Sequence, residues 1–130
     1  MLKTLTIALV VILPLVVLAK PLSTSELEIV EKPLNIRVYA FQQILDKWGD
    51  DQWIYFNDLI QRESNWRNEA QNPKSSAFGL AQFLNSTWQT VGCEKTTDKF
   101  IQIDCAIKYV EKVYKTPEMA IKFHNKKGWY

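Results

Sequence analysis

The chain has 130 residues, 47% of them apolar, and a formal net charge of +2. That length fits one domain with a modest core, and so small a charge gives no basic face of the kind nucleic-acid binding calls for. Two cysteines and a single histidine, His124, leave no spacing that would hold a zinc ion, and no metal or organic cofactor is implied.

Residues 1–19 read as a signal peptide. Lys3 supplies the positive start, Leu5 to Leu18 is almost entirely apolar, and Val17-Leu18-Ala19 ends in a small residue. The apolar run is shorter than the ~20 residues of a spanning helix. An uncleaved anchor through residues 4–19 is the alternative, and either way the folded part is expected to work outside the cytoplasm, secreted or periplasmic. Cleavage would leave 111 residues and lower the charge to +1. Residues 20–33, polar and carrying Pro21 and Pro33, read as a leader or linker. The folded domain is expected to occupy residues 34–130.

The oxidising compartment makes a Cys93–Cys105 disulfide the expected pairing, closing a loop of about a dozen residues.

Helical periodicity runs from Leu34 to Trp48 through Ile36, Tyr39, Ala40, Ile44, Leu45 and Trp48, and Gly49-Asp50-Asp51 stops it. Asp51 is then expected to cap a second helix through Trp53, Phe56, Leu59 and Ile60, ending near Glu63. Glu63 follows Leu59 by four and Phe56 by seven, so it falls on the apolar face, whereas Asp58 falls on the opposite side. A carboxyl on that face loses hydration, and burial disfavours its charged form, which lets it hold a proton near neutral pH and donate it. Periodicity alone is equally satisfied by a helix-end glutamate bonded to nearby backbone.

Asn65 to Phe78 reads as a loop that could hide a small hairpin, and Gly79 to Leu84 as a short turn or helix. Asn85-Ser86-Thr87 is expected to cap a helix through Trp88 and Val91, and Asp98 to cap the next, whose apolar positions run from Phe100 to Val113. Thr116-Pro117-Glu118 places Thr at a cap and Pro at the first helical position of a last helix ending near Asn125. No repeat, no phosphate-binding loop and no alternation demanding a large sheet is present, so the chain reads as mostly α.

Several segments, in order, resemble a known family. They are Arg62-Glu63-Ser64-Asn65-Trp66, Ala70-Gln71-Asn72-Pro73, Ser76-Ala77-Phe78-Gly79-Leu80-Ala81-Gln82-Phe83, Asn85-Ser86-Thr87-Trp88, Gly92-Cys93 with Cys105, Phe123-His124-Asn125 and Gly128-Trp129-Tyr130. From Gln52 to Tyr130 the chain is similar to the lysozyme-like superfamily, and most similar to lytic transglycosylase (SLT-type) domains and their short secreted and phage relatives. The resemblance implies a small helical domain with a catalytic cleft, in which Glu63 takes the place of the catalytic glutamate. It puts Ser64 where a hydroxyl positions the substrate's N-acetyl group, and Gly79, Leu80, Gln82 and Phe83 in a cleft wall, with the Gln82 amide toward the sugar. Trp66 and Phe78 become substrate-binding candidates, although each taken singly also suits an ordinary core aromatic.

Phe123, His124 and Asn125 stand near the family's Ala-Tyr-Asn segment, where an aromatic residue contacts the glutamate or the sugar. The chain departs there, with Phe-His-Asn-Lys-Lys-Gly where many relatives have Tyr-Asn-Ala-Gly, and it has Ala81 where many have Met. A lone histidine beside a phenylalanine is more often structural or solvated than catalytic.

The implied substrate is the β-1,4 bond of peptidoglycan glycan strands, cut by a monomeric enzyme, and a slight positive charge suits an anionic wall polymer. A transglycosylase needs only one acid. A lysozyme-type hydrolase usually needs a second carboxylate, for which Glu69, Glu94 and Asp98 are the candidates. A wall-binding module without turnover, or a membrane-anchored structural domain, are the non-enzymatic readings.

Overall fold

A computed structural model describes residues 35–130. The expected signal peptide, the anchor alternative and the leader lie outside the described residues. Five helices, α1 (Ile36–Trp48), α2 (Trp53–Ser64), α3 (Asn85–Thr90), α4 (Lys99–Val113) and α5 (Pro117–Lys127), make up the regular structure. The mostly α expectation holds. Among the described residues none of these helices is long and apolar enough to cross a membrane.

The caps decide where the helices begin. Asn35 accepts from the Arg37 N–H at 2.9 Å, so α1 starts inside the predicted span. Asp98 Oδ1 accepts from the Phe100 and Ile101 N–H groups at 2.8 and 3.2 Å. Thr116 Oγ1 accepts from the Met119 N–H, with Pro117 at the first helical position. Both of these caps are as expected.

Two expected caps differ. Asp51 does not cap α2, because Asp50–Gln52 form a turn of 3-10 helix and Gln52 stands at the cap position. The Asp51 carboxylate instead accepts from Gln52 Nε2 at 3.0 Å. Asn85 does not cap α3 either: it is the first helical residue, behind Leu84, and its N–H is taken by Ser76 Oγ at 3.1 Å.

The core lies between α1, α2, α4 and α5, where Ile44, Phe56, Leu59, Ile60, Ile103 and Val110 are wholly buried. Burying side chains of this size stabilises by about 1.5–3 kcal/mol each. α2 packs more extensively against α5 than any other helix does. The two start together, where Gln52 Oε1 accepts from the Glu118 N–H at 3.1 Å. They also end together, where Glu63 meets His124 and Arg62 meets Asn125. That shared direction brings the last turn of α5 to the last turn of α2.

Where the sequence left room for a small hairpin, between Asn65 and Phe78, the structure has two isolated antiparallel bridges, Gln71 with Phe78 and Phe78 with Phe83. The intervening Asn72 to Ser75 is an exposed polar turn with no apolar alternation to pair, so no strand extends from it.

The loop is instead held by one buried amide. Gln102 of α4 accepts from the Leu80 N–H at 2.8 Å and donates to the Asn68 and Thr96 carbonyls at 2.8 and 2.7 Å. Gly79, at φ +84°, lies so close to this amide that a Cβ there would sit 2.8 Å from Gln102 Oε1.

Cys93, just past α3, is bonded to Cys105 of α4 as expected, with Cα atoms 6.4 Å apart. Closing a loop of about a dozen residues removes about 3 kcal/mol of freedom from the unfolded chain. Reduction is therefore expected to lower unfolding stability by about 3 kcal/mol, measured by denaturant titration with and without a reductant. An unchanged midpoint would show that the bridge contributes nothing beyond packing.

Candidate active site

Glu63 occupies the last turn of α2, which ends because Asn65 and Trp66 both take left-handed backbone, at φ +53° and +61°. Its side chain is only 17% exposed, and Oε1 lies 3.1 Å from His124 Nε2. Burial raises the carboxyl above its ordinary range, while the charge of a protonated His124 and the hydrogen bond to it pull the other way. Burial is the larger effect.

The Glu63 carboxyl opens into a cleft of about 440 Å³. Gln82 and Phe83 form one wall, with Ala77 and Ala81, and Tyr109, Trp129 and Tyr130 form the aromatic side. Among the described residues lining this cleft, Glu63 has the only charged side chain. Asp58 lies half exposed on the other side of α2 and is held by Arg62 at 2.7 Å, as its position in the sequence predicts. Of the candidate second carboxylates, Glu69 and Glu94 are exposed and Asp98 caps α4. None of the three lines the cleft.

Of the residues nominated from sequence, Glu63, Gln82 and Phe83 line the cleft. Gln82 Nε2 donates to the Ala70 and Gly79 carbonyls, both at 2.9 Å, which uses both its protons. What this side chain still presents is its oxygen. Phe83 is buried edge-on against Trp88 and Tyr109. Gly79 and Leu80 lie behind the wall, where they set its path through Gln102. Ser64 is buried, and its hydroxyl donates back to the Ile60 carbonyl at 3.3 Å.

Trp66 and Phe78 lie outside the cleft lining. Trp66 donates to Asn57 Oδ1 at 3.2 Å, packs against Trp53 and carries Arg37 over its face. Phe78 bridges the loop beneath Lys95. Phe123 packs against Tyr114 and Trp129, and Asn125 accepts from Arg62 Nη1 at 2.6 Å.

His124 is the departure from expectation. A residue more often structural is here the direct hydrogen-bond partner of Glu63. Spacing along the chain does not announce this, because its partner is 61 residues away; only the resemblance put a glutamate contact at this segment.

Tyr109, Trp129 and Tyr130, which line the cleft, and Gln102, which holds its loop, are residues that sequence reasoning left without a role. Tyr130 donates to the Ala81 carbonyl at 3.2 Å, tying the aromatic side to the loop wall. Burial, and next the Glu63 charge, push its phenol far up, so it stays neutral. Gln102 carried a usable signal, since it falls one turn before Cys105 and Ala106 on the buried face of α4, where an amide must find partners.

A small helical domain that presents one carboxyl, its pKa raised by burial, in an open cleft has the architecture of the lysozyme-like enzymes. The chain belongs to the Transglycosylase SLT domain family, whose model matches residues 39–123. Activity in this family is of the peptidoglycan lytic transglycosylase type, and the chain is an enzyme of that general type, with peptidoglycan as substrate. No curated protein and no solved structure matches the chain. The family match contains Glu63 and the loop wall, and it stops just before His124, Trp129 and Tyr130.

Proposed function

We propose that the protein cuts the β-1,4 bond between N-acetylmuramic acid and N-acetylglucosamine, with Glu63 as its single catalytic acid, and releases 1,6-anhydro products. The observation that carries this reading is that Glu63 has the sole acidic side chain among the described residues lining the cleft. Protonated Glu63 gives its proton to the bridging oxygen as the C1–O bond breaks and the sugar gains oxocarbenium character. The carbonyl oxygen of the substrate's own N-acetyl group bonds C1. The C6 hydroxyl then displaces it, closing the anhydro ring, and its proton returns to the Glu63 carboxylate. No water is consumed, so no second carboxylate is required.

His124 has a positioning role in this scheme. With a proton on Nε2, its ring donates to Glu63 Oε1 and leaves the other oxygen to carry the proton toward the sugar. The same bond steadies the carboxylate after the proton has left. The substrate places the working protein outside the cytoplasm, periplasmic or secreted, in keeping with residues 1–19 acting as a signal peptide.

The test is digestion of insoluble peptidoglycan with products read by mass spectrometry. Anhydro-muropeptides are expected. Hydrated reducing ends would overturn the single-acid reading in favour of a hydrolase, and absence of products across several wall types would favour a binding module.

A further inference from the structure

Trp129 is the most exposed aromatic of the cleft, at 59%, and it stands on the same cavity as Glu63. It is braced rather than loose. Its ring meets Phe123 edge-on at 5.1 Å, Phe123 packs on Tyr114 at 5.3 Å, and Tyr114 packs on Tyr109 at 5.9 Å. This aromatic series runs back to α4, so the indole is held in place before any ligand arrives, which lowers the ordering cost of binding.

The surroundings select the ligand chemistry. Apart from Glu63 the lining is uncharged, with Asn72, Gln82 and Thr87 as polar groups and half-exposed Leu84 beside them. A peptide stem carries carboxylates and amines, which would be left unpaired against such a surface. A pyranose ring has one face of C–H groups and a rim of hydroxyls and amides, which matches a broad aromatic face with a few polar groups around it.

We propose that Trp129 is a stacking platform for an N-acetylhexosamine ring of the glycan strand, beside the scissile bond. This rests on the reading of the cleft as a glycan site. It adds a binding determinant outside the matched family segment.

Two measurements on the full chain test it. With soluble glycan strands stripped of peptide stems, Trp129→Ala is expected to raise KM about tenfold while kcat stays within about twofold, and Trp129→Tyr to recover part of the loss. The second needs no change at the platform. In Glu63→Gln protein, a soluble β-1,4-linked N-acetylglucosamine tetramer is titrated while the indole N–H signals are followed by NMR. The Trp129 signal, assigned from the spectrum of Trp129→Tyr protein, is expected to move with the tetramer and the Trp48 signal to stay.

An unchanged KM in Trp129→Ala, or a Trp129 signal that does not move at millimolar tetramer, overturns the platform. If wild type still releases anhydro products, only the platform falls. If wild type yields no products at all, the cleft reading beneath it falls as well.

Discussion

Replacing Glu63 with Gln is expected to cut peptidoglycan turnover by about a hundredfold or more, the usual contribution of a positioned general acid. Gln keeps the size and the hydrogen bonding toward His124 and removes only the transferable proton, so the loss reports chemistry. Stability provides the control. Burial raises the folded pKa of Glu63, so the carboxyl favours the folded state most below its unfolded pKa, and that contribution is lost as pH rises through the folded value. Above that value the ionised group is a liability to the fold. The Gln variant should therefore unfold at the same or a higher temperature than wild type. A variant that is inactive and also markedly less stable would point to a structural glutamate. One that clears walls as fast as wild type would remove Glu63 from the mechanism.

The same ionisation shapes the pH profile. kcat/KM of wild type should decline as pH rises through the Glu63 value, which lies above the ordinary 4.5. The hydrogen-bonded His124 pulls that value down against burial, through its charge and its bond. His124→Gln keeps an N–H donor but carries no charge, so the decline should move to higher pH. Around this pair, Tyr130 and Tyr114 are pushed up by burial and stay neutral, and Arg62 is engaged by Asp58 and Asn125. Lys122 on α5 is paired with Glu118. An identical profile in the variant would show that His124 orients Glu63 without lowering its pKa.

Gln102→Leu is expected to cost about 3–5 kcal/mol of stability, because one buried and two part-buried backbone groups lose their partner at once. The Leu80 N–H and the Asn68 and Thr96 carbonyls would each be stranded. Gln102→Glu is a sharper probe. It keeps the acceptor for Leu80 but sets an oxygen against two carbonyls, so it should be comparably destabilising at neutral pH and partly relieved in acid. Denaturant titration measures both, and a loss below about 1 kcal/mol in either would show that the loop is held by other contacts. Because the clamp sets the path of Gly79 to Phe83, the folded fraction of these variants should also lose activity.

The helices were legible because their signals are local. Asp98 and Thr116-Pro117 cap their own helices within three residues, and the apolar spacing of Phe56, Leu59 and Ile60 turns Glu63 toward the interior one turn later. Where local chemistry offered rivals, the prediction slipped. Asp51 and Asn85 are good cap residues, yet a 3-10 turn and the Ser76 hydroxyl claimed their positions.

The motif Glu63-Ser64-Asn65-Trp66 was recognisable as a unit, but only Glu63 of the four lines the cleft, since residues adjacent on a helix end point in different directions. What the sequence determined by itself was the set of helices, the disulfide partners and the buried acid. Packing decided the rest. α2 and α5 end together, which sets His124 against Glu63, and Gln102 and Tyr130 hold the loop that makes the opposite wall. Those contacts join residues 22 to 61 positions apart, and they follow from how whole helix faces fit rather than from any spacing along the chain.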